Sequence, residues 1–198
     1  MELPIFPLNG AVLFPGTSLP LNIFEERYVE MINYALSNKR LIGMIQHNEE
    51  NQLYEVGCVG KIHSFNETND GRYLISLQGE QCFRVVKELR QKYKFRIVKA
   101  EEIKGSNPEH VGFSDKQKKF LLDKYSDYIN FNKINIELTE IENIEVHQLI
   151  KFIPMISPFD YIDKQALLET NNIYEFYEKL VSLLEIESTN KLFQSKVN

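Results

Sequence analysis

The chain is 198 residues long, with 43% hydrophobic and 12% aromatic residues, a formal net charge of -5 and two cysteines. That length and apolar content can bury a core without covalent staples, which excludes a cystine-rich secreted module and a disordered chain. The mild acidity weighs against a dedicated nucleic-acid binder.

The opening stretch, Met1-Glu2-Leu3-Pro4-Ile5-Phe6-Pro7-Leu8, has no basic start. Two prolines interrupt its apolar run, so it reads as structure and not as a secretory signal. No segment reaches the roughly 20 apolar residues of a membrane span, so no membrane association and a cytoplasmic location are expected. Phe24, Tyr28, Met31, Ile32, Ala35 and Leu36 recur at helical spacing, which predicts a helix with Asn22 as its cap and Glu25 completing a capping box. Phe24 and Tyr28 are expected to seat that helix on the sheet. Strands are predicted over 41–47 and 54–65, the second bent at Gly57 and Gly60. Asp70-Gly71 then marks a hairpin leading into Tyr73–Leu77. Phe83–Val86 continues the sheet. In 92–98 the cations Lys92, Lys94 and Arg96 alternate with Tyr93, Phe95 and Ile97, the pattern of a half-buried strand. Several short antiparallel strands with glycine bends favour a small barrel or a strongly coiled sheet.

The pattern changes after the turn-rich Gly105-Ser106-Asn107-Pro108-Glu109-His110. Ser114 with Gln117 forms a capping box ahead of the stripe Leu121, Tyr125, Tyr128 and Ile129. Val146, Leu149, Ile150 and Ile153 form a second stripe, expected to end at Pro154. A short helix is expected at Lys164–Glu169. A last one, capped by Asn172, turns Ile173, Phe176, Tyr177, Leu180 and Leu184 inward. Residues 1–104 carry 13 cations and 13 anions and residues 105–198 carry 10 and 15, so the whole net charge belongs to the helical half. These shifts divide the chain into a β-rich part, 1–104, a linker, 105–113, and a helical part, 114–190.

Motifs for chemistry are missing from the sequence. There is no P-loop, no GxGxxG after a strand, no GxSxG and no HExxH. His47, His63, His110 and His147 lack metal-ligand spacing, and Cys58 and Cys82 form no CxxC, so no metal and no cofactor are expected. Both cysteines read as buried strand residues. Adjacent Glu25 and Glu26 point about 100° apart on a helix and cannot serve one site. Arg84 is expected to pair with a carboxylate across the sheet. The basic stretch Arg84, Lys87, Arg90, Lys92, Lys94, Arg96 and Lys99 reads as a solvated strand face, because the aromatics among it alternate inward and leave no stacking platform.

One signal is more specific. Leu3-Pro4-Ile5-Phe6-Pro7-Leu8 is followed by Val12-Leu13-Phe14-Pro15-Gly16 and by Leu19-Pro20-Leu21-Asn22-Ile23-Phe24-Glu25-Glu26-Arg27-Tyr28. Gly43-Met44, Tyr54-Glu55-Val56-Gly57-Cys58-Val59-Gly60-Lys61-Ile62, Asp70-Gly71-Arg72, and Gly79 with Phe83-Arg84-Val85 come next in order. This series resembles the N-terminal, substrate-binding domain of the Lon protease family, from Leu3 to about Glu185. Lys164-Gln165-Ala166-Leu167-Leu168-Glu169 is similar to the stand-alone bacterial members, which consist of this domain only. The resemblance implies an α+β fold: a PUA-like six-stranded pseudo-barrel with one helix, followed by a C-terminal helical bundle. Lon proteases add an ATPase module and a Ser/Lys peptidase domain, and no P-loop occurs in these residues. The resemblance therefore implies a non-catalytic module that recognises polypeptide segments or a partner protein, with a protease or chaperone system among the candidates. Binding is expected at an exposed strand edge or in an apolar groove between the two halves. Phe65 and Tyr73, which flank the hairpin, and Phe14 in the first loop are the expected peptide contacts. The alternatives are an RNA-binding PUA-like protein and a small-molecule enzyme using the cleft between the halves.

Overall fold

The architecture is that of a computed structural model describing residues 1–90, 92–103 and 112–194, with side chains described through residue 188. The chain runs β1 (Glu2–Pro7), β2 (Ser18–Ile23), α1 (Glu26–Leu36), β3 (Leu41–Ile45), β4 (Val56–Glu67), β5 (Tyr73–Leu89), β6 (Arg96–Glu102), α2 (Asp115–Asn132), a 3-10 turn (Leu138–Glu140), α3 (Val146–Ile156), α4 (Tyr161–Leu168) and α5 (Ile173–Gln194). It is a mixed α+β protein with one six-stranded sheet and five α-helices among the described residues. Contacts divide it into two units. One is Met1–Asn107 with Pro158–Glu169, and the other is Pro108–Ser157 with Thr170–Asn198. The linker expected over 105–113 lies outside the described residues except for Gly112 and Phe113.

In the sheet unit the strand order is β2-β5-β4-β3-β1-β6, and β5 also pairs with β6. Five strands thereby close into a ring, and β2 lies outside it. The length of β5 makes this possible. Its first part, Tyr73–Gln78, takes β2, while Phe83–Leu89 takes β6 along the same edge. A register shift at Val59/Gly60 bends β4 against β5, as the glycine there suggested. Inside the ring Phe83 is fully buried among Leu3, Ile5, Ile45, Val59, Val98 and Ala100. Two glycines make room for it. A Cβ on Gly43 would lie 2.9 Å from the Phe83 ring, and one on Gly57 would lie 2.7 Å from the ring and 2.5 Å from the Met44 carbonyl. Gly57 thus serves the ring and not a bend.

Outside the ring, α1 buries Tyr28, Met31, Ile32 and Ala35, one stripe of its surface. Its start differs from expectation. The N-cap is Glu25, which makes no side-chain cap. Asn22 and Ile23 are claimed by pairing with Leu74 and Tyr73, so the backbone is still extended where the sequence periodicity predicts helix. Phe24 therefore stands before the first turn and is 67% exposed instead of seating the helix. The strand predicted over 92–98 is also displaced, to 96–102. Tyr93 and Phe95 precede it and pack on Tyr34 of α1 at 5.2 and 5.4 Å, so their alternation reflects packing and not the ladder.

The short helix α4 lies with the sheet unit, whereas the sequence grouped it with the helices around it. Two buried glutamines hold it. Gln46 Nε2 donates to the Tyr161 carbonyl at 2.9 Å and to Gln165 Oε1 at 3.1 Å. Gln165 Nε2 donates to the Val56 carbonyl at 3.0 Å and to Glu169 at 2.7 Å. Gln46 Oε1 accepts from Gly10 N–H, so the polar groups of both amides are occupied. Lys164 Nζ donates to the Gly10 carbonyl at 3.0 Å, and burial pulls its ammonium below its ordinary pKa.

In the second unit α5 packs against α2 and α3. The capping box of Ser114 and Gln117 is present, and all four residues of the first predicted stripe are buried. α3 runs past Pro154 to Ile156, because a proline this close to a helix end disturbs only the last turn. Asn172 accepts from the N–H groups of Tyr174 and Glu175, the cap expected of it. Tyr125 and Tyr128 stack 6.0 Å apart in the interior, and the Tyr125 hydroxyl accepts from Ser157.

Candidate functional site

A groove of about 350 Å³ opens in the sheet unit where β1, β2 and α1 meet. Its lining includes Phe6, Leu8, Leu21, Phe24, Tyr28 and His47. The floor is aromatic: Phe6 and Tyr28 are each 7% exposed, with ring centroids 4.2 Å apart. The Arg27 guanidinium lies over the Tyr28 ring at 4.5 Å, and its Nε donates to Glu25 at 2.9 Å. That pair neutralises itself and leaves the groove without net charge at this wall. At the far rim the His47 N–H donates to Asn9 Oδ1 at 2.9 Å, which fixes the loop after β1. Phe24 completes the lining as the most exposed large apolar side chain among the described residues.

The strand edges on either side share one feature. Gly79 N–H donates to the Thr17 carbonyl, which sets the phase of the β2–β5 ladder. Leu19, Leu21 and Ile23 direct their backbone groups at β5, while Ser18, Pro20 and Asn22 direct theirs away. Across the groove, Leu8 N–H donates to the Ile45 carbonyl, so the backbone groups of Pro7 point away from β3. Pairing of β1 with β6 has already ended at Ile5. A proline thus stands at an outward-facing position of each edge, where it has no N–H to offer. In the sequence these prolines show only as an interruption of the opening apolar run and as members of a motif. Their place on the edges required the ladder phase.

The three expected contacts have different surroundings. Phe14 is 1% exposed, and its carbonyl lies where a Cβ on Gly79 would come within 2.2 Å. Tyr73 is buried on β5, with its hydroxyl donating to Asn33 of α1 at 2.9 Å and raised in pKa by that burial first of all. Phe65 is 48% exposed, with its ring 6.5 Å from that of Tyr73. The hairpin brings Phe65 and Tyr73 together, and Phe14 packs further along β5. Burial leaves Phe14 and Tyr73 little surface, so Phe65 is the one with area to give a ligand. Phe24 has more exposed area than any of the three, and the sequence did not offer it because the helical spacing placed it inside.

The turn between Phe65 and Tyr73 is fixed locally. Gly71 has φ 79°, and Asp70 accepts from Thr68 at 2.5 Å and from Arg72 at 2.8 Å. The Arg72 hydrogen bond, then that of Thr68, holds the Asp70 carboxyl well below the usual carboxylate range. On the basic stretch, Arg84 bonds Glu55 at 2.7 Å, as expected, Arg96 makes a two-pronged contact with Glu88 at 2.8 and 2.7 Å, and Lys94 pairs with Glu26. Among the described residues no group of three or more His, Cys, Asp or Glu could hold a metal ion. No helix among them is long and apolar enough to cross a membrane.

Comparison with known proteins fits this architecture. The family described as the ATP-dependent protease La (LON) substrate-binding domain matches residues 2–185. The chain belongs to the Lon substrate-binding domain family. The Lon protease of Flavobacterium johnsoniae is 29% identical over 216 residues, which cover 100% of this chain and 26% of the relative. That of Escherichia coli is 25% identical over 201 residues, covering 94% and 25%. The chain thus spans about a quarter of the length of the curated relatives it matches. Among solved structures, a Lon N-terminal domain protein from Xanthomonas campestris superposes with TM-score 0.68 at 18% identity, covering 92% of this chain and 98% of that one. The N-terminal domain of a Mycobacterium avium complex Lon protease gives 0.67 at 15%, covering 93% and 98%. At those identities the likeness establishes the fold, while membership of the Lon family rests on the sequence match.

Proposed function

We propose that this chain is a non-catalytic polypeptide-recognition module that holds apolar side chains of a segment in the β1–β2 groove. The observation that carries this reading is Phe24, two-thirds exposed at the rim of a groove floored by Phe6 and Tyr28. Keeping a phenylalanine in water is unfavourable by about 1–2 kcal/mol compared with burying it, and a bound apolar side chain recovers part of that. The proline-blunted edges favour capture through side chains over strand addition. Phe65 on the hairpin arm is a second contact. The partner is an exposed segment of a polypeptide, met in the cytoplasm, and the unit holding the site is the PUA-like pseudo-barrel, while the second unit is a helical bundle.

The test is titration of the purified protein with reduced, carboxymethylated lactalbumin and with the same protein folded. Preference for the unfolded form, weakened at least about fivefold by Phe24→Ser, is expected. Equal weak binding to both forms, unaffected by the substitution, would sink the reading.

A further inference from the structure

The two cysteines, 24 positions apart in sequence, are register partners: Cys58 of β4 lies directly opposite Cys82 of β5. The ladder phase makes the pairing closer still. Val85 N–H donates to the Glu55 carbonyl, so Glu55 with Val85 and Gly57 with Phe83 are the pairs that exchange backbone hydrogen bonds. Cys58 with Cys82 is therefore a non-hydrogen-bonded pair, the kind whose Cα atoms lie about 4.5 Å apart with both side chains on one face. That separation falls inside the window of roughly 4.4–6.8 Å in which a disulfide closes without backbone movement.

Both thiols are covered. Cys58 is 0% and Cys82 3% exposed. The cover is α4. The Cys82 thiol donates to the Leu168 carbonyl at 3.9 Å, and Gln165 bonds the Val56 carbonyl, two residues before Cys58. A buried thiol is inert, so the chemistry of this pair depends on α4 being lifted. An eight-residue helix, anchored by Gln46, Gln165 and the buried Leu167 and Leu168, opens at lower cost than the closed sheet beneath it.

We propose that Cys58 and Cys82 are a peroxide-sensitive dithiol, bridged reversibly within the folded chain, with α4 as the cover that sets the rate. One thiolate attacks hydrogen peroxide, breaks the O–O bond, takes one oxygen as a sulfenic acid and expels hydroxide, which takes up the first thiol's proton and leaves as water. The second thiolate attacks that sulfur, forms the S–S bond and expels hydroxide, which takes up the second thiol's proton. Two thiols and one peroxide give one disulfide and two waters.

The experiment exposes the full chain, folded, to hydrogen peroxide. The oxidant is then removed, the protein is unfolded in iodoacetamide and its mass is measured. The expected species has lost two hydrogens and takes up no alkyl group, accumulates while the near-ultraviolet circular dichroism stays native, and reverts with dithiothreitol. Cys58→Ser should abolish it. Gln165→Ala, which frees one end of the cover, should speed bridging roughly tenfold. If that variant does not fold, urea below the unfolding transition should raise bridging and α4 amide exchange in parallel. Two alkylated cysteines after treatment, a sulfinic acid in place of the bridge, bridging only with loss of the native signal, or rates that ignore α4 would each overturn the proposal.

Discussion

Phe83 and Phe24 belong to the same sheet unit and face opposite environments, one 0% exposed inside the ring and the other 67% exposed at the groove. The difference lies in the backbone around them. At Phe83 the neighbouring strands carry Gly43 and Gly57, so chain and ring approach more closely than any Cβ would allow. At Phe24 the strands carry Pro7 and Pro20 on their outward edges, which keeps β1 and β2 from closing over it. Glycine lets the sheet seal around one aromatic ring, and proline holds the sheet open beside another. Stability should therefore be concentrated in the ring and recognition in the groove.

That contrast can be broken by experiment, beginning with the ring. Phe83→Ala should cost about 4 kcal/mol in chemical unfolding, and a loss below about 1 kcal/mol would mean that the ring is not the stability centre. Gly57→Ala should cost about 2–3 kcal/mol, because its Cβ meets a carbonyl that cannot step aside. Phe24→Ser should change stability by less than about 0.5 kcal/mol while weakening capture of an unfolded protein. A large loss of stability there would show that Phe24 is structural after all. The smallest effect concerns Lys164. Burial lowers its pKa below 10.5 in the folded state, so its charged form disfavours folding at lower pH. That penalty lifts as pH rises from the lowered folded value toward 10.5, and stability gains across this window. Buried tyrosines raised in pKa oppose the trend, so the wild type should be compared with Lys164→Met, in which the lysine contribution alone disappears.

What the sequence disclosed follows from what is local. The capping box of Ser114 and Gln117 spans a single turn, and the stripe Leu121, Tyr125, Tyr128 and Ile129 repeats along one helix, so both could be read without knowing what they touch. The Asp70-Gly71 turn is equally self-contained. Phe24 was misplaced because helical periodicity carries no record of β5 claiming Asn22 and Ile23. The membership of α4 was hidden for a related reason. A period shows which face of a helix is apolar, and here polar residues, Gln46 and Gln165, choose the surface it covers. The groove could not be read at all, since it arises from where β6 stops pairing along β1 and where β2 stays outside the ring.

The placement of α4 also imposes an order on synthesis. All six strands have been synthesised once Glu102 is made, but α4 follows only after α2 and α3. At roughly 5–20 residues per second, the face carrying Val56, Cys58 and Cys82 waits on the order of several seconds for its cover. A nascent chain in that interval has its hydrogen-bonded ladders and still shows an apolar flank. A truncated chain ending after β6 would hold that state indefinitely, and should be recovered from cells as aggregate and not as a smaller soluble domain.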